Sequence, residues 1–263
     1  MLASMWIEIT TPTPVLNTSD FAAVFGGASG SSIPLNEFGH PHHFEFVALK
    51  HMQFEVLDQV GPNIYQIRWP KYSESPLYLD QRFCRSIICH TQQHSNVFFS
   101  AQSILNHMEN RVGTSYVWGG NWANGIPEML VYYPPKKSLD GQMQTLWTLQ
   151  GLDCSGLLFE ATGGASPRNT THLLQCGRSL SANEPLQPLD MIIYPGHVLF
   201  VRDQTTIIES KSPFGVRICP LEKRIYEISQ HRKFISEWNS NIDGNSHFTI
   251  RRLNWTKINS KSF

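Results

Sequence analysis

Hydrophobic and polar residues alternate along three short segments between residues 43 and 70. The segments HFEFVALK, MQFEVLDQV and NIYQIRWP are separated by polar or Gly-Pro turns. Alternation with a period of two is typical of β-strands that bury one face. We therefore predict a small barrel of short strands here. Residues 1–40, rich in Thr, Pro, Gly and Ser, are predicted to be loops and turns with little helix.

The pattern changes from a period of two to a period of 3.6 near residue 96. In SAQSILNHMENRVG the apolar residues recur at helical spacing from Ala101 to Val112, between an N-cap at Ser100 and a stop at Gly113. The change of period predicts a domain boundary, with one domain over residues 1–95 and a second over residues 96–263.

A second helix is predicted from Cys154 to about Thr162, stopped by Gly163 and Gly164. After a short helical piece around TTHLLQCG, the pattern predicts four strands with tight connections, in the segments DMIIYP, HVLFVRD, TTIIESK and GVRICPL. The second domain is therefore expected to be a helix followed by an antiparallel sheet. The polar stretch from SNIDGNSHF to the end is expected to be loosely held.

Charge and composition exclude several classes of partner. The 263 residues carry 21 basic and 21 acidic side chains without a long basic run, which argues against nucleic acid or an anionic membrane. No run approaches the roughly 18 apolar residues of a membrane helix. The first residues lack the features of a secretory signal, and five widely spread cysteines fit reduced thiols. We therefore expect a cytoplasmic protein with a small ligand.

Two clusters of potential metal ligands have spacings that do not favour a metal. CRSIICHTQQH holds Cys84, Cys89, His90 and His94 within eleven residues, and GHPHH holds His40, His42 and His43. Structural zinc sites usually draw two separated pairs of ligands. We expect no metal site and no cofactor.

Cys154 lies where a helix N-terminus favours the thiolate, the nucleophilic form of cysteine. A cysteine nucleophile also needs a histidine, and His197 follows Pro195-Gly196 at the start of a predicted strand. Glu209 comes 12 residues later on the next predicted strand, about opposite His197, where it would orient the ring. The same pattern also fits a buried structural cysteine and a surface histidine.

Six segments occur in an order that is similar to a known family: YVWGG (116–120), LDCSGL (152–157), PRNT (167–170), LQPLDMIIY (186–194), GHVLFV (196–201) and GVRI (215–218). They resemble the NlpC-type cell-wall endopeptidases, papain-like cysteine peptidases that cut peptidoglycan stem peptides. The resemblance covers about residues 100–225. It implies an α+β fold, with the nucleophile helix packed on an antiparallel sheet, preceded by a bacterial SH3-like β-barrel.

The resemblance implies a role for each matching residue. Cys154 would be the nucleophile, His197 the general base, and Glu209 the third polar residue, a position most often occupied by histidine in the family. Asp153 would bind the amino group of an N-terminal L-alanine, with Ser155 beside it.

Further residues match positions that shape the substrate pocket. Arg168 and Thr170 take the places of Arg and Ser in the family's PRxS stretch. Tyr116 would lie at the cleft and help to stabilise the oxyanion with the backbone N–H of Cys154. Core packing is the alternative for Tyr116 and Trp118.

The segment 121–150 is an insertion relative to compact members of the family. Four aromatic residues in it either wall the substrate groove or anchor the insertion to its domain: Trp122, Tyr132, Tyr133 and Trp147.

The activity implied is hydrolysis of the bond between γ-D-glutamate and a diamino acid, usually meso-diaminopimelate, in peptidoglycan stem peptides or muropeptides. The apparent lack of an export signal suggests a recycling role in the cell. Because Glu209 departs from the family pattern, two alternatives stay open. One is a peptidoglycan-peptide binding protein with weakened or lost turnover. The other is a papain-like enzyme that transfers an acyl group to a lipid or an amine.

Overall fold

The structure is a computed structural model that describes residues 5–41, 43–88, 99–239 and 242–255. In chain order its elements are β1 (Met5–Ile9), β2 (Thr13–Leu16), α1 (Phe21–Val24), β3 (Phe44–Ala48), β4 (Gln53–Gln59), β5 (Ile64–Trp69), β6 (Ser73–Asp80), a 3-10 turn (Gln81–Phe83), β7 (Cys84–Ile87), α2 (Ala101–Glu109), β8 (Asn121–Trp122), α3 (Glu128–Tyr132), α4 (Gly141–Trp147), β9 (Gly151–Leu152), α5 (Cys154–Ala161), α6 (Thr170–Leu173), β10 (Arg178–Ser179), β11 (Met191–Tyr194), β12 (His197–Val201), β13 (Thr206–Lys211), β14 (Gly215–Pro220), α7 (Leu221–Ser229), β15 (Lys233–Phe234) and β16 (His247–Arg252).

These elements divide into two compact units. Unit 1 comprises residues 1–92 and 115–153, and unit 2 comprises residues 93–114 and 154–263, each as far as it is described. The segment 115–153, which follows the boundary expected from the sequence, thus packs in unit 1. The division into functional domains 1–95 and 96–263 stays a prediction.

Unit 1 is built on a seven-stranded sheet with the order β3-β2-β6-β5-β4-β1-β7. The three strands predicted between residues 43 and 70 are confirmed as β3, β4 and β5. The predicted SH3-like barrel is not confirmed, because β3 and β7 end the strand order and do not pair with each other in the described residues.

The expectation of loops over residues 1–40 is wrong where β1 and β2 form. β1 pairs with β4 and β7, and β2 pairs with β3 and β6. Ile7, Ile9, Val15 and Leu16 are fully buried in these two strands. Burial of these side chains outweighs the turn preference of the neighbouring Thr and Pro residues.

The insertion 121–150 packs in unit 1 through its aromatic residues. Trp147 is fully buried, its ring lies 5.9 Å from that of Phe25, and its indole N–H donates to the carbonyl oxygen of Tyr133 at 2.9 Å. Tyr133 in turn stacks on Phe25 with ring centroids 5.5 Å apart. Trp122 and Tyr132 are partly buried against the same core. These four aromatic residues thus anchor the insertion, but to unit 1 and not to residues of the predicted domain 96–263 outside the insertion.

Unit 2 is built on an antiparallel sheet with the order β10-β16-β11-β12-β13-β14, to which β15 adds in parallel beside β16. The four strands predicted between residues 190 and 221 are confirmed as β11 to β14, and α5 packs on β12 and β13. The predicted helix after Ser100 is confirmed as α2, with a capping box at its start. Helices combined with antiparallel sheets confirm the α+β class.

Four elements of unit 2 were not predicted, namely the two-residue strands β10 and β15, the helix α7 and the strand β16. α7 follows β14 directly and packs on β13 and β14. β16 pairs with β11, so the expectation of a loosely held tail is wrong for His247–Arg252. Phe248 and Ile250 of β16 are buried on one face of the strand. Thr249 and Arg251 on the other face are buried as well, so the alternation of apolar and polar residues marks a strand that is covered on both faces.

Candidate active site

The thiol of Cys154 lies beside the turn that leads into β12. Cys154 is the first residue of α5 and is 5% exposed. Its Sγ lies 3.8 Å from the carbonyl oxygen of Gly196, the residue before His197. The N–H of Gly196 donates to the hydroxyl of Thr170 at 3.2 Å. The backbone at Gly196 has φ +86, which favours glycine, so the short turn between β11 and β12 suits this residue.

His197 and Glu209 are brought together by the pairing of β12 with β13. Phe200 lies opposite Ile208, and side chains alternate along a strand, so His197 and Glu209 fall on one face of the sheet. The imidazole Nε2 of His197 lies 2.8 Å from Oε2 of Glu209. His197 is 9% exposed and Glu209 is fully buried. The contact expected from the 12-residue spacing is thus present, while the catalytic roles stay a prediction.

Two arginines hold the buried carboxylate of Glu209. The guanidinium of Arg217 donates twice to Oε1, from Nε at 3.0 Å and from Nη2 at 2.7 Å, and Nη2 of Arg224 donates to Oε2 at 2.9 Å. Burial by itself raises the pKa of Glu209, but the hydrogen bond and charge of His197 with the two arginines outweigh it and hold the pKa well below 4.5. Glu209 is therefore ionised at neutral pH.

The ionised state of Glu209 decides which nitrogen of His197 carries the proton. A carboxylate only accepts hydrogen bonds, so Nε2, which contacts Glu209, carries a proton and donates it to Oε2. In the tautomer with one ring proton, Nδ1 is therefore the basic nitrogen. The ring is thus prepared to accept a proton at Nδ1.

The remaining predicted site residues of unit 2 lie close to these groups in the fold. Ser155 follows Cys154 in α5, and its hydroxyl accepts a hydrogen bond from Nη1 of Arg168 at 3.0 Å. Both residues are 4% exposed. Thr170 is the first residue of α6 and holds the Gly196 turn. Arg168 therefore supports the first turn of α5, and Thr170 supports the peptide that contacts the thiol.

Asp153 and Tyr116, the predicted site residues of unit 1, have partners within that unit. Oδ2 of Asp153 accepts a hydrogen bond from the N–H of Gly119 at 3.1 Å, and Asp153 is 8% exposed. The ring of Tyr116 is half-buried and lies 5.9 Å from the ring of His40. Trp118 stacks on His40 at 4.9 Å and is 42% exposed, so core packing does not describe Trp118.

The pKa of each of three other described cysteines lies above its ordinary value. Burial raises the pKa of Cys176 to about 11. Burial and the charge of Asp80 raise the pKa of Cys84 to about 12. Burial, with the charge of Glu209, also raises the pKa of Cys219. These three thiols are therefore protonated at neutral pH and are poor candidates for a nucleophile.

Arg217, Arg224 and Tyr194 are the polar neighbours of His197 and Glu209 that the sequence analysis did not identify as site residues. Arg217 lies directly opposite Glu209 in the β13–β14 ladder, so the hairpin spacing carried a signal for it. The ring of Tyr194 lies 5.6 Å from that of His197. Arg224 lies on α7, and its approach to Glu209 had no signal without that helix.

The described residues hold neither a group of three or more potential metal ligands nor a helix long and apolar enough to cross a membrane. His42, Cys89, His90 and His94 lie outside the described residues. The two candidate metal clusters are therefore not tested in full.

A buried carboxylate of α5 links this helix to the segment that contains α2. Glu160 of α5 is 5% exposed, and its Oε2 accepts hydrogen bonds from Nε of Arg111 at 2.7 Å and lies 3.0 Å from Nε2 of His107. We expect Glu160→Ala to lower the free energy of unfolding by about 2 kcal/mol, because charge-assisted hydrogen bonds of a buried group are lost.

Urea unfolding measures this difference, and Glu109→Ala is a matched control. Glu109 also pairs with an arginine, Arg202, but both side chains are about one third exposed. The control should therefore lose less than about 1 kcal/mol. Equal losses in the two variants would show that the Glu160 contacts add nothing to the stability of this helix pair.

Comparisons with known proteins give matches among solved structures, and three of low similarity illustrate them. No protein-family model and no curated protein sequence matches the chain. An NlpC/P60 family protein from Bacillus cereus is 16% identical with a TM-score of 0.38, and the match covers 95% of this chain and 63% of that chain. This chain thus spans less than two thirds of that protein.

Two further matches carry related names. NlpC1 from Trichomonas vaginalis is 13% identical with a TM-score of 0.36, over 95% of this chain and 69% of that chain. RipD from Mycobacterium tuberculosis, described as a non-catalytic NlpC/p60 domain protein adapted to peptidoglycan binding, is 16% identical with a TM-score of 0.36, over 58% of this chain and 97% of that chain. At these TM-scores and identities, the matches establish neither the fold nor the activity of this chain.

Proposed function

We propose that this protein is a cysteine endopeptidase that hydrolyses the bond between γ-D-glutamate and a diamino acid in peptidoglycan stem peptides or muropeptides. The observation that carries the proposal is the oriented histidine: Glu209, itself ionised, holds Nε2 of His197 at 2.8 Å. The carbonyl that precedes this histidine contacts the thiol at the start of α5. The ordered set of motifs from YVWGG to GVRI supports the choice of bond.

The chemistry follows from the proton positions. Nδ1 of His197 takes the proton of the Cys154 thiol, and the thiolate attacks the γ-carbonyl carbon of D-glutamate. The imidazolium then gives its proton to the leaving amine of the diamino acid, and the C–N bond breaks to leave a thioester on Cys154. His197 next removes a proton from water, and the hydroxide attacks the thioester. The products are a free γ-carboxylate and the restored thiol.

The other predicted residues are assigned to the substrate. The resemblance assigns Asp153 to the free amino group of an N-terminal L-alanine and Tyr116 to the oxyanion. Within unit 2, the N–H of Cys154 would donate to the oxyanion. The buried pair of Ser155 and Arg168 would shape the adjacent wall. A requirement for the free amino group would restrict the enzyme to peptides that have already been trimmed, which fits a recycling role in the cytoplasm.

Incubation of the protein with L-Ala-γ-D-Glu-meso-diaminopimelate, followed by mass spectrometry, tests the proposal. We expect L-Ala-D-Glu and free diaminopimelate from the wild type and neither product from Cys154→Ala. Binding of the tripeptide by both proteins without cleavage would favour the alternative of a peptidoglycan-peptide binding protein. Products joined to an added amine or lipid, without hydrolysis, would favour the acyl transferase.

A further inference from the structure

One arginine of β14 lies directly against the carboxylate that contacts His197. Arg217 is opposite Glu209 in the β13–β14 ladder, so the two side chains share one face of the sheet. The guanidinium donates to Oε1 of Glu209 from Nε at 3.0 Å and from Nη2 at 2.7 Å. Oε2 accepts from Arg224 at 2.9 Å and lies 2.8 Å from Nε2 of His197. Arg217 is therefore linked to His197 through one carboxylate.

The two arginines that contact Glu209 differ in how their charge is shared. Arg224 also pairs with Glu227, so its charge is divided between two carboxylates. Within the described part of the chain, Arg217 forms an ion pair with Glu209 and with no other carboxylate. Its side chain is 28% exposed and packs over the ring of Phe214 at 4.3 Å. Arg217 is therefore the arginine whose charge offsets Glu209 alone.

Other titratable and charged groups surround the His197–Glu209 pair. They are Cys154 on α5, Tyr194 on β11, Lys211 on β13, Cys219 on β14, Arg224 and Glu227 on α7, and His231 and Arg232 after α7. Glu227 acts on Lys211 as well as on Arg224, and Asp243 acts on Arg232. The tyrosine and the β14 thiol are protonated at neutral pH, because burial raises the pKa of each. These charges largely offset one another, which leaves the pair of Glu209 and Arg217 next to the ring.

The proposed reaction needs a histidine that both accepts and releases a proton. His197 takes a proton from the thiol and later gives it to the leaving amine. A carboxylate in contact with an imidazole favours the protonated ring, which would hold that proton too firmly for the second step. A guanidinium on the same carboxylate has the opposite effect, because it offsets the negative charge that the ring meets. The carboxylate can still accept the hydrogen bond from Nε2 and orient the ring.

We propose that Arg217 is a positioning residue of the candidate active site, which acts through Glu209 to weaken the hold of the His197 imidazole on the proton at Nδ1. The inference rests on the proposed function, in which this proton is transferred. Removal of the Arg217 charge leaves Glu209 ionised. Burial raises the pKa of Glu209, but the hydrogen bond and charge of His197 and the charge of Arg224 still lower it. The ring would then face a carboxylate with less of its charge offset.

NMR titration of the His197 ring in the Cys154→Ala protein tests this link without turnover and without the titration of the thiol. Its signal among 11 histidines is the one that disappears when His197→Gln is added. We expect Arg217→Gln to raise the midpoint of the titration by about one pH unit, the size of one charge interaction in a partly exposed site. Arg217→Met, a second neutral variant, should do the same. Arg217→Lys keeps the charge but not the double hydrogen bond, and should raise the midpoint by less than about half as much.

Arg202→Gln is the matched control, because Arg202 is also ion-paired and about one third exposed. It follows β12 at the end away from His197, about 16 Å along the strand. The control should leave the midpoint unchanged, and thermal unfolding should show that all variants are folded.

An unchanged or lowered midpoint in both neutral variants, or equal shifts in Arg217→Lys and Arg217→Gln, would overturn the inference. Cleavage of the tripeptide by the wild type without the expected shift would keep the proposed hydrolysis and remove the role of Arg217. The shift without cleavage would keep the effect of Arg217 on His197 and remove the proposed hydrolysis.

Discussion

Cys154→Ala and His197→Ala should each lower kcat/KM for hydrolysis of the diaminopimelate tripeptide by at least about 10⁴-fold, and the double variant should lose no more than either single variant. The reason is that thiol and imidazole act as one unit. Without the imidazole the thiol has no base, and without the thiol the imidazole has no proton to move. The rate of L-Ala-D-Glu release, measured by mass spectrometry, gives all three values.

Cys176→Ala and His247→Ala are the matched controls for this cycle. Cys176 is a half-buried thiol of unit 2 that donates to the carbonyl of His172, and His247 contacts Ser246 at the start of β16. Neither should change kcat/KM by more than about twofold, since surface and remote groups rarely contribute to transition-state binding. Losses that multiply in the double variant would mean that Cys154 and His197 act independently, which contradicts the proposed mechanism.

The parts of the fold that the sequence predicted are those with strong local periodicity. β11 to β14 alternate or run apolar over four to six residues, and the apolar run of α5 begins after Asp153 and stops before Gly163. β1 and β2 were missed because Thr and Pro dominate their neighbourhood, and only contacts with distant strands make them extended. α7 had a weak signal in Leu221, Ile225 and Ile228, which share one helical face.

In the candidate site, too, a contact set by neighbouring strands could be predicted from the sequence, and a contact set by the packing of a separate helix could not. The His197–Glu209 contact follows from a hairpin, where the number of residues between two side chains sets their separation. The approach of Arg224 to Glu209 depends on how α7 packs on β13, which no short pattern contains. The sequence therefore predicted the contact between the imidazole and the carboxylate, but not the two arginines that, with His197, lower the pKa of that carboxylate.

Because of these arginines, we expect substitution of Glu209 to lower the stability of the protein. We expect Glu209→His, which installs the residue most often found at this position in the resembled family, to lower both stability and activity. The buried guanidinium of Arg224 would lose its carboxylate, and breaking a buried ion pair costs about 3 kcal/mol or more. Urea unfolding measures the loss, and kcat for the tripeptide should fall at least about tenfold because His197 loses its acceptor.

Glu227→His is the control for that comparison, since Glu227 pairs with the same Arg224 but its side chain is 41% exposed. It should lower the free energy of unfolding much less than Glu209→His does, because an exposed ion pair contributes little to stability. Full activity and unchanged stability of Glu209→His would show that the carboxylate neither orients His197 nor neutralises the arginines. Retained stability with lost activity would confine the role of Glu209 to His197.

Measuring the free energy of unfolding of the wild type and of Glu209→Gln as a function of pH separates the effect of the charge of Glu209 from the effect of its packing. The folded-state pKa of Glu209 lies below its ordinary value of 4.5, owing to His197 and the two arginines acting against burial. A carboxylate with a lowered pKa stabilises the fold fully above the unfolded pKa and loses that contribution as the pH falls towards the folded value. The wild type should therefore exceed Glu209→Gln in unfolding free energy most above about pH 5. This difference should shrink steadily below about pH 4.5. A difference that stays constant down to about pH 3 would assign the effect of the substitution to packing and not to charge.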